Sequence, residues 1–344
     1  MNDADAEHSG LTHDLLALYR QQVNCGFVLA DPLIGKGREE KRFFDECCGI
    51  EFRFLWNPDR QLRKNHALLV QRGVVAKHVD TDKLINKDKN GKACYLCKEN
   101  IALQNPAEVL FPLKLAGEQY FAGANFAYIT NNHFTIMSSS HRPQQYRRGV
   151  LAVLDDFVLQ TGGHFRAIFN GLAGASIPWH EHMQATTEKF PIEDIKIRDT
   201  DVLRDDGHIR VSMPFYYTSV GVVEGTSAAE VEDAGDRAIQ KWYSFNKEYH
   251  TENVIAAMTE GRFRMFLILR DTRKLTGTGK AGAMAAFECG GNIVLSYEPP
   301  EPESEKVNER FTFDRASLET AKQLLFDIAP DPEMAKAAFQ EAWL

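Results

Sequence analysis

Apolar residues at helical spacing over positions 11–23 predict a first helix. Positions 52–56 alternate weakly, as a strand does, and 67–75 form an apolar run of strand length. The stretch 81–92 is charged and contains Asn90-Gly91, a turn signal, so the Cys-x-x-Cys that follows belongs on a loop or knuckle. Aromatic and β-branched residues over 126–137 predict strands interrupted near Asn131-Asn132. An amphipathic helix is predicted over 148–160, broken by Gly162-Gly163 and followed by a short strand at 165–169. A glycine-rich turn, Asn170 to Ser176, comes next. Further strands are expected at 209–223, 263–269 and 291–297, helices at 228–249 and 318–328, and a Pro/Glu-rich surface loop at 299–305. Strands often follow one another directly, which favours an α+β fold with a largely antiparallel sheet over a doubly wound parallel one.

The 344 residues suffice for one large domain or two closely packed halves. A net charge of −8 argues against a nucleic-acid binder that works by neutralising phosphates, but leaves room for a small phosphate ligand in a pocket. No apolar run approaches the roughly 20 residues of a membrane span. Positions 1–10 are polar and acidic, without the pattern of a signal sequence, and read as a disordered tail on a cytoplasmic protein. The six cysteines, Cys25, Cys47, Cys48, Cys94, Cys97 and Cys289, are then expected to be reduced.

The chemistry concentrates in Ile177-Pro-Trp-His-Glu-His-Met-Gln184. On an extended backbone His180, His182 and Gln184 share one face, and Glu181 and Met183 take the other. Neutral imidazole can attack phosphorus, and an amide N–H can bond a phosphoryl oxygen. Asn170, Gly171, Gly174 and Ser176 precede this segment, with glycines that allow backbone N–H groups to approach an anion. Paired histidines on a strand are also common as plain structural residues. The ordered combination of strand, Asn-Gly turn and His-x-His-x-Gln raises the catalytic reading above that one.

Cys94 and Cys97 have the spacing of a zinc knuckle but no second Cys-x-x-Cys to complete it. A redox pair or two inert thiols are the alternatives. With histidines included, Cys94, Cys97, His133 and His180 could form a Cys2His2 site. Arg142, Arg147, Arg262, Arg264, Arg270, Arg273 and Lys274 are candidate phosphate contacts, and the best group is Arg270 with Lys274 at the end of a predicted strand.

Three blocks resemble the galactose-1-phosphate uridylyltransferase branch of the histidine-triad superfamily, closest to its phosphorylase-like members. They are Cys94-Tyr-Leu-Cys-Lys-Glu-Asn100, then Asn131-Asn-His-Phe-Thr-Ile-Met137 with His141-Arg-Pro-Gln144, then Phe169-Asn-Gly-Leu-Ala-Gly-Ala-Ser-Ile-Pro-Trp-His-Glu-His-Met-Gln184. The resemblance implies two histidine-triad-like halves, 11–200 catalytic and 201–344 degenerate, in keeping with the absence of a second His-x-His. It implies that His182 takes up a nucleotidyl group, that His180 orients it through its carbonyl, and that Gln184 marks a transferase rather than a hydrolase. Asn170 and Ser176 match phosphate-contacting positions. A structural zinc held by Cys94, Cys97, His133 and His180 is implied, with no organic cofactor. The expected partners are a nucleotide or nucleotide-sugar substrate and a phosphate-bearing acceptor, with no nucleic acid or membrane, and a homodimer is open. The expected reaction is transfer or phosphorolysis of a nucleoside diphosphate sugar or dinucleoside polyphosphate. The alternatives are a phosphate-independent hydrolase, a non-catalytic nucleotide binder, or a zinc protein in which both histidines are ligands. Glu181 stands where the uridylyltransferases usually carry proline, and Trp179 is also a departure.

Overall fold

A computed structural model describes residues 9–28, 38–88, 90–274, 284–297 and 308–342. Most of the predicted tail and the predicted loop at 299–305 lie outside the described residues. Helix α1 (Gly10–Asn24) starts at Ser9, whose hydroxyl accepts from the Thr12 N–H. Strands β1 (Glu39–Asp45) and β2 (Ile50–Trp56) form a hairpin, and β2 buries every second residue. The apolar run at 67–75 is not a strand but the short helix α2 (His66–Gln71), started by Asn65, whose Oδ1 accepts from Leu68 N–H at 3.1 Å. Helix α3 (Lys98–Gln104) follows the cysteine knuckle, and β3 (Leu110–Leu115) and β4 (Glu118–Ala124) form the next hairpin.

Of the predicted strand region 126–137, only the end is strand, in β5 (Phe134–Ser138). The rest is a turn in which Asn132 adopts a positive φ of 51°. Helix α4 (Val150–Gln160), β6 (Arg166–Asn170) and β7 (His182–Thr186) complete this half. Then come β8 (Val202–Asp205), β9 (Ile209–Ser212), β10 (Val220–Gly225), α5 (Ala228–Phe245), β11 (His250–Thr259) and β12 (Arg262–Asp271). Helix α5 stops short of the predicted residue 249 because Asn246 Oδ1 accepts from Glu248 and Tyr249 N–H, which turns the chain. Last are α6 (Ala286–Cys289), β13 (Asn292–Leu295), α7 (Glu309–Asp314), α8 (Leu318–Asp327) and α9 (Pro332–Glu341).

Ten strands form one antiparallel sheet in the order β3-β4-β5-β7-β6-β11-β12-β10-β9-β8. The order contains a repeat. Three strands, a helix and two strands give β3-β4-β5-β7-β6 around α4, and the same succession gives β8-β9-β10-β12-β11 around α5. The copies meet where β6 pairs with β11. This is an α+β fold of two like halves. The small sheet β1-β2-β13 ties the halves together, because β13 runs parallel to β2.

The sheet has two unlike faces. One is covered along both halves by α1, α4, α5 and α9, with Leu15, Phe157, Trp242 and Phe339 in its core. On the other, α6, α7, α8 and the small sheet cover Ile255, Phe266 and Ile268 of the second half. A single row across this second face runs Thr135, Gln184, Ile168, Ile255, Phe266, Val222. It is apolar under the cover and polar at Gln184 and Thr135, where a pocket opens. No helix among the described residues is long and apolar enough to cross a membrane.

One buried carboxyl group in the helical layer has a consequence for stability. Asp155 of α4 is 0% exposed, and neither carboxylate oxygen has a hydrogen-bond partner. Burial, helped by the charge of Glu232, raises its pKa to about 8. The unfolded chain ionises this group near pH 3.9, so between roughly pH 4 and pH 8 the folded chain holds a proton that the unfolded chain has lost. Stability contributed by the neutral form is therefore lost as pH rises through that window. Asp155→Asn is expected to be more stable than wild type by on the order of several kcal/mol at pH 8, with the gap closing toward pH 4. Urea midpoints across that range check this, and parallel curves for the two proteins contradict it.

Candidate active site

His182 and Gln184 sit at the first and third positions of β7, between β5 and β6. The alternation expected of an extended segment holds from His182 onward, but His180 lies in the bend before β7 and turns to Cys94 and Cys97 instead of the pocket. His182 and Gln184 line a pocket of about 400 Å³, and Met183 lies in the core on the other face. Just ahead of the paired residues, β6 and β7 part, and the side chain of Gln144 fills the gap. Its Nε2 donates to the carbonyls of Asn170 (2.7 Å) and His182 (2.9 Å), and its Oε1 accepts from His182 N–H (2.7 Å). Gln144 is 0% exposed, so these bonds fix where His182 starts.

The protonation of His182 follows from its partner. Nδ1 lies 2.8 Å from the carbonyl oxygen of His180, which can only accept, so Nδ1 carries the hydrogen and Nε2 keeps its lone pair. Burial lowers the pKa of this imidazole, so it is neutral at pH 7. Gln184 is oriented the same way. Ile129 N–H donates to His133 Nδ1 (3.1 Å), so His133 Nε2 holds the hydrogen and donates to Gln184 Oε1 (3.1 Å). The amide nitrogen of Gln184 is thereby left as a donor toward the pocket. Burial takes the pKa of His133 down to about 3, which keeps it neutral.

His133 therefore does not join the cysteines, and the expected ligand set is corrected at this position. Cys94, Cys97, His141 and His180 bring their ligand atoms within 4.8 Å of one another. His180 Nδ1 lies 3.3 Å from Cys94 Sγ, 3.6 Å from Cys97 Sγ and 3.3 Å from His141 Nδ1, and Cys97 Sγ lies 3.4 Å from His141 Nδ1. Ligand atoms around a tetrahedral zinc, at about 2.3 Å from sulfur and 2.0 Å from nitrogen, are about 3.5 Å apart, so this donor set fits such an ion. The surroundings aim it. His180 Nε2 donates to Ser138 O at 2.9 Å, which turns the lone pair of Nδ1 toward the thiols. Asn100, the last residue of the first sequence block, is 0% exposed and ties the knuckle through Cys94 O and Ile85 O. The four residues can hold a metal ion.

The glycine-rich turn differs from expectation. The N–H of Gly171 donates to Glu252 O, and those of Gly174 and Ala175 donate to Gly171 O. These N–H groups are spent within the chain. A Cβ on Gly171 would lie 2.3 Å from Thr251 Oγ1 and 2.5 Å from Glu252 O, so glycine there serves close packing on β11. Asn170 directs Oδ1 to Ala286 N–H at 2.9 Å. Of the predicted phosphate contacts, Ser176 lines the pocket with His182 and Gln184, while Asn170, Gly171, Gly174, Arg270 and Lys274 do not. Arg270 is 0% exposed and donates to the carbonyls of Met284 and Lys274, and Lys274 reaches Ala329 O. Arg60, which had no sequence signal, lines the pocket instead.

On the opposite face of β7, Glu181 is held by Arg142 Nη2 (2.7 Å), Arg147 Nε (2.7 Å) and Tyr120 Oη (2.7 Å). Burial raises its pKa, but the hydrogen bonds from Arg147, Arg142 and Tyr120 outweigh that and leave it lowered. The arginines carry His141 and Gln144 on the same loop, so this network fixes the loop to β7.

Residues 46–187 match a family model described as a domain of unknown function, DUF4922. Galactose-1-phosphate uridylyltransferase of Lactococcus lactis subsp. lactis is 25% identical over 204 residues, covering 52% of this chain and 41% of that protein. The uridylyltransferase 1 of Streptococcus pneumoniae is 25% identical over 217 residues, covering 57% and 44%. The chain thus spans less than half the length of the curated relatives it matches. Yeast Ap4A phosphorylase Apa2 in complex with AMP superposes over 93% of this chain and 96% of its own, with TM-score 0.53 and 14% identity. Its complex with Ap4A gives the same score over 93% and 97%. The chain is similar in sequence to galactose-1-phosphate uridylyltransferases and shares the fold of the Ap4A phosphorylase.

Proposed function

We propose that the protein transfers a nucleotidyl group between phosphate-bearing partners through a covalent intermediate on His182. The donor is a nucleoside diphosphate sugar or a dinucleoside polyphosphate. The observation that carries this reading is the bond from His182 Nδ1 to the His180 carbonyl, which leaves a neutral Nε2 at the wall of a nucleotide-sized pocket. Nε2 attacks the α-phosphorus. An N–P bond forms, and the bond to the bridging oxygen breaks with its electron pair leaving on the departing phosphate or sugar phosphate. The imidazole becomes cationic, and the His180 carbonyl stabilises it through Nδ1–H. Gln184 Nε2 and the Ser176 hydroxyl donate to the phosphoryl oxygens, and Arg60 adds positive charge. An oxygen of the acceptor phosphate then attacks phosphorus, the N–P bond breaks, and neutral His182 returns.

Incubation with labelled nucleoside diphosphate sugars and dinucleoside polyphosphates, without acceptor, tests this. A nucleotidyl mass adduct mapped to His182 is the expected result. Turnover with no adduct, undiminished in the His182→Ala variant, contradicts it. Dependence of product release on inorganic phosphate then separates a phosphorylase from a hydrolase.

The ion suited to Cys94, Cys97, His141 and His180 is zinc, in a structural role. It would join the knuckle, the loop at 139–147 and the residue from which His182 hangs. The purified protein is expected to contain about one zinc per chain and Cys97→Ser to have lost it, by elemental analysis. A metal-free wild-type protein of full thermal stability contradicts a structural zinc.

A further inference from the structure

The pocket extends well past the reacting groups. From Gln184 the sheet steps to Thr135 on β5 and then to Gly123 on β4. Two strand spacings put Gly123 about 10 Å from Gln184, a span that the ribose of one nucleotide bridges. Over Gly123 sits Glu108: a Cβ on that glycine would come 2.5 Å from Glu108 Oε1. The bare glycine is what lets the carboxylate lie there. Apolar side chains including Leu69, Leu96, Ile101 and Phe126 line the pocket with it, as the flat faces of a base require.

We propose that Glu108, with Asn105, reads the base of the bound nucleotide and selects guanine. This rests on the reading of the pocket as a nucleotide site. Asn105 gives one of its Nδ2 hydrogens to Glu108 Oε2 at 2.9 Å, which holds the carboxylate in place and leaves Glu108 Oε1 without that partner. Asn125 nearby gives one Nδ2 hydrogen to Thr135 Oγ1 and takes Ala127 N–H on Oδ1. The charged acceptor at this end of the pocket is Glu108 Oε1. Guanine presents two adjacent donors, N1–H and the exocyclic amine, and a carboxylate accepts both side by side. Uracil presents one N–H between two carbonyl oxygens, which a carboxylate repels. Adenine presents its amine beside a ring nitrogen that needs a donor. Without a ligand, burial raises the pKa of Glu108 to about 7, so a base that supplies two donors favours the ionised form.

Calorimetric titration of the full chain with GMP, AMP, UMP and CMP tests the assignment, in wild type and in Glu108→Gln. GMP is expected to bind wild type about 10–100-fold tighter than the other three, the value of a hydrogen-bonded charged acceptor. In Glu108→Gln, which keeps the shape and replaces one acceptor oxygen with a donor, the preference is expected to shrink to about threefold or less. AMP or UMP binding wild type as tightly as GMP overturns the proposal, and so does a GMP preference that survives in Glu108→Gln. Binding of none of the four overturns it together with the nucleotide reading of the pocket. Guanine preference without any adduct on His182 sinks covalent transfer and leaves the base site standing. An adduct on His182 with no base preference does the reverse.

Discussion

The His182→Ala variant is expected to lose nucleotidyl transfer by on the order of 10⁴-fold or more, with nucleotide affinity held within about threefold. The two expectations differ because His182 meets the substrate at phosphorus, whereas affinity comes from the apolar walls and the far polar end. Loss of the nucleophile removes the covalent step itself, and neither His180 nor His133 replaces it. His180 directs Nε2 to the Ser138 carbonyl and Nδ1 to the cysteine cluster, and His133 commits both nitrogens to Ile129 and Gln184. Neither has a lone pair facing the substrate. Single-turnover rates and titration of the same preparation measure the two quantities together. A matched fall in rate and affinity would make His182 a binding residue. Partial recovery of His182→Gly by added imidazole would show that the missing function is nucleophilic, because free imidazole supplies the nitrogen without restoring the hydrogen bonds of a structural histidine.

How far this arrangement was legible in the sequence depended on the range of the physics involved. Period-two alternation is local, and it placed His182 and Gln184 on one face before any fold was known. The antiparallel α+β class followed from strands joined without crossover helices. What depends on distant segments was not legible. Glycines at 171 and 174 have the same signature whether they cradle a phosphate or admit a neighbouring strand, and only the position of β11 against the turn decides for packing. His133 and His141 are both histidines of the second block, and spacing cannot choose between them. Ser138 and its turn send His141 to the cysteines, while the turn at Ile129 points His133 toward Gln184. The arginines near the end of β12 formed a conspicuous charge cluster, yet Arg270 is spent on backbone carbonyls and Arg273 on Asp271. Arg60 carried no local signal, because its place on the pocket comes from β2 and the turn after it. Asn65 could have been recognised as a helix cap, which would have turned the apolar run after it from strand to helix.

Glu181 separates the two paired histidines, and there the structure predicts a large effect of another kind. Its side chain is 4% exposed and meets two guanidinium groups and the Tyr120 hydroxyl. Glu181→Ala is expected to destabilise the fold by about 3 kcal/mol, the low end for breaking a buried pair. The low end applies because Arg142 and Arg147 are 26% and 29% exposed and keep Glu118 as a second partner, at 2.6 and 2.9 Å. Glu181→Gln keeps an acceptor for Tyr120 and the arginines and should lose distinctly less. The transfer rate should fall as well, although Glu181 faces away from the pocket. The arginines hold the loop whose Gln144 bonds both backbone groups of His182 and whose His141 faces the cysteines. The expected pattern is a lower single-turnover rate with nucleotide affinity nearly unchanged, together with a lower urea midpoint. Added zinc should restore little of the rate, since the slack lies at Gln144 and not at the metal ligands. A wild-type urea midpoint in Glu181→Ala would mean that Glu118 alone holds both arginines, and the rate should then be unaffected too. A normal midpoint with a depressed rate would be incompatible with a positioning role and would require Glu181 to act on the substrate directly.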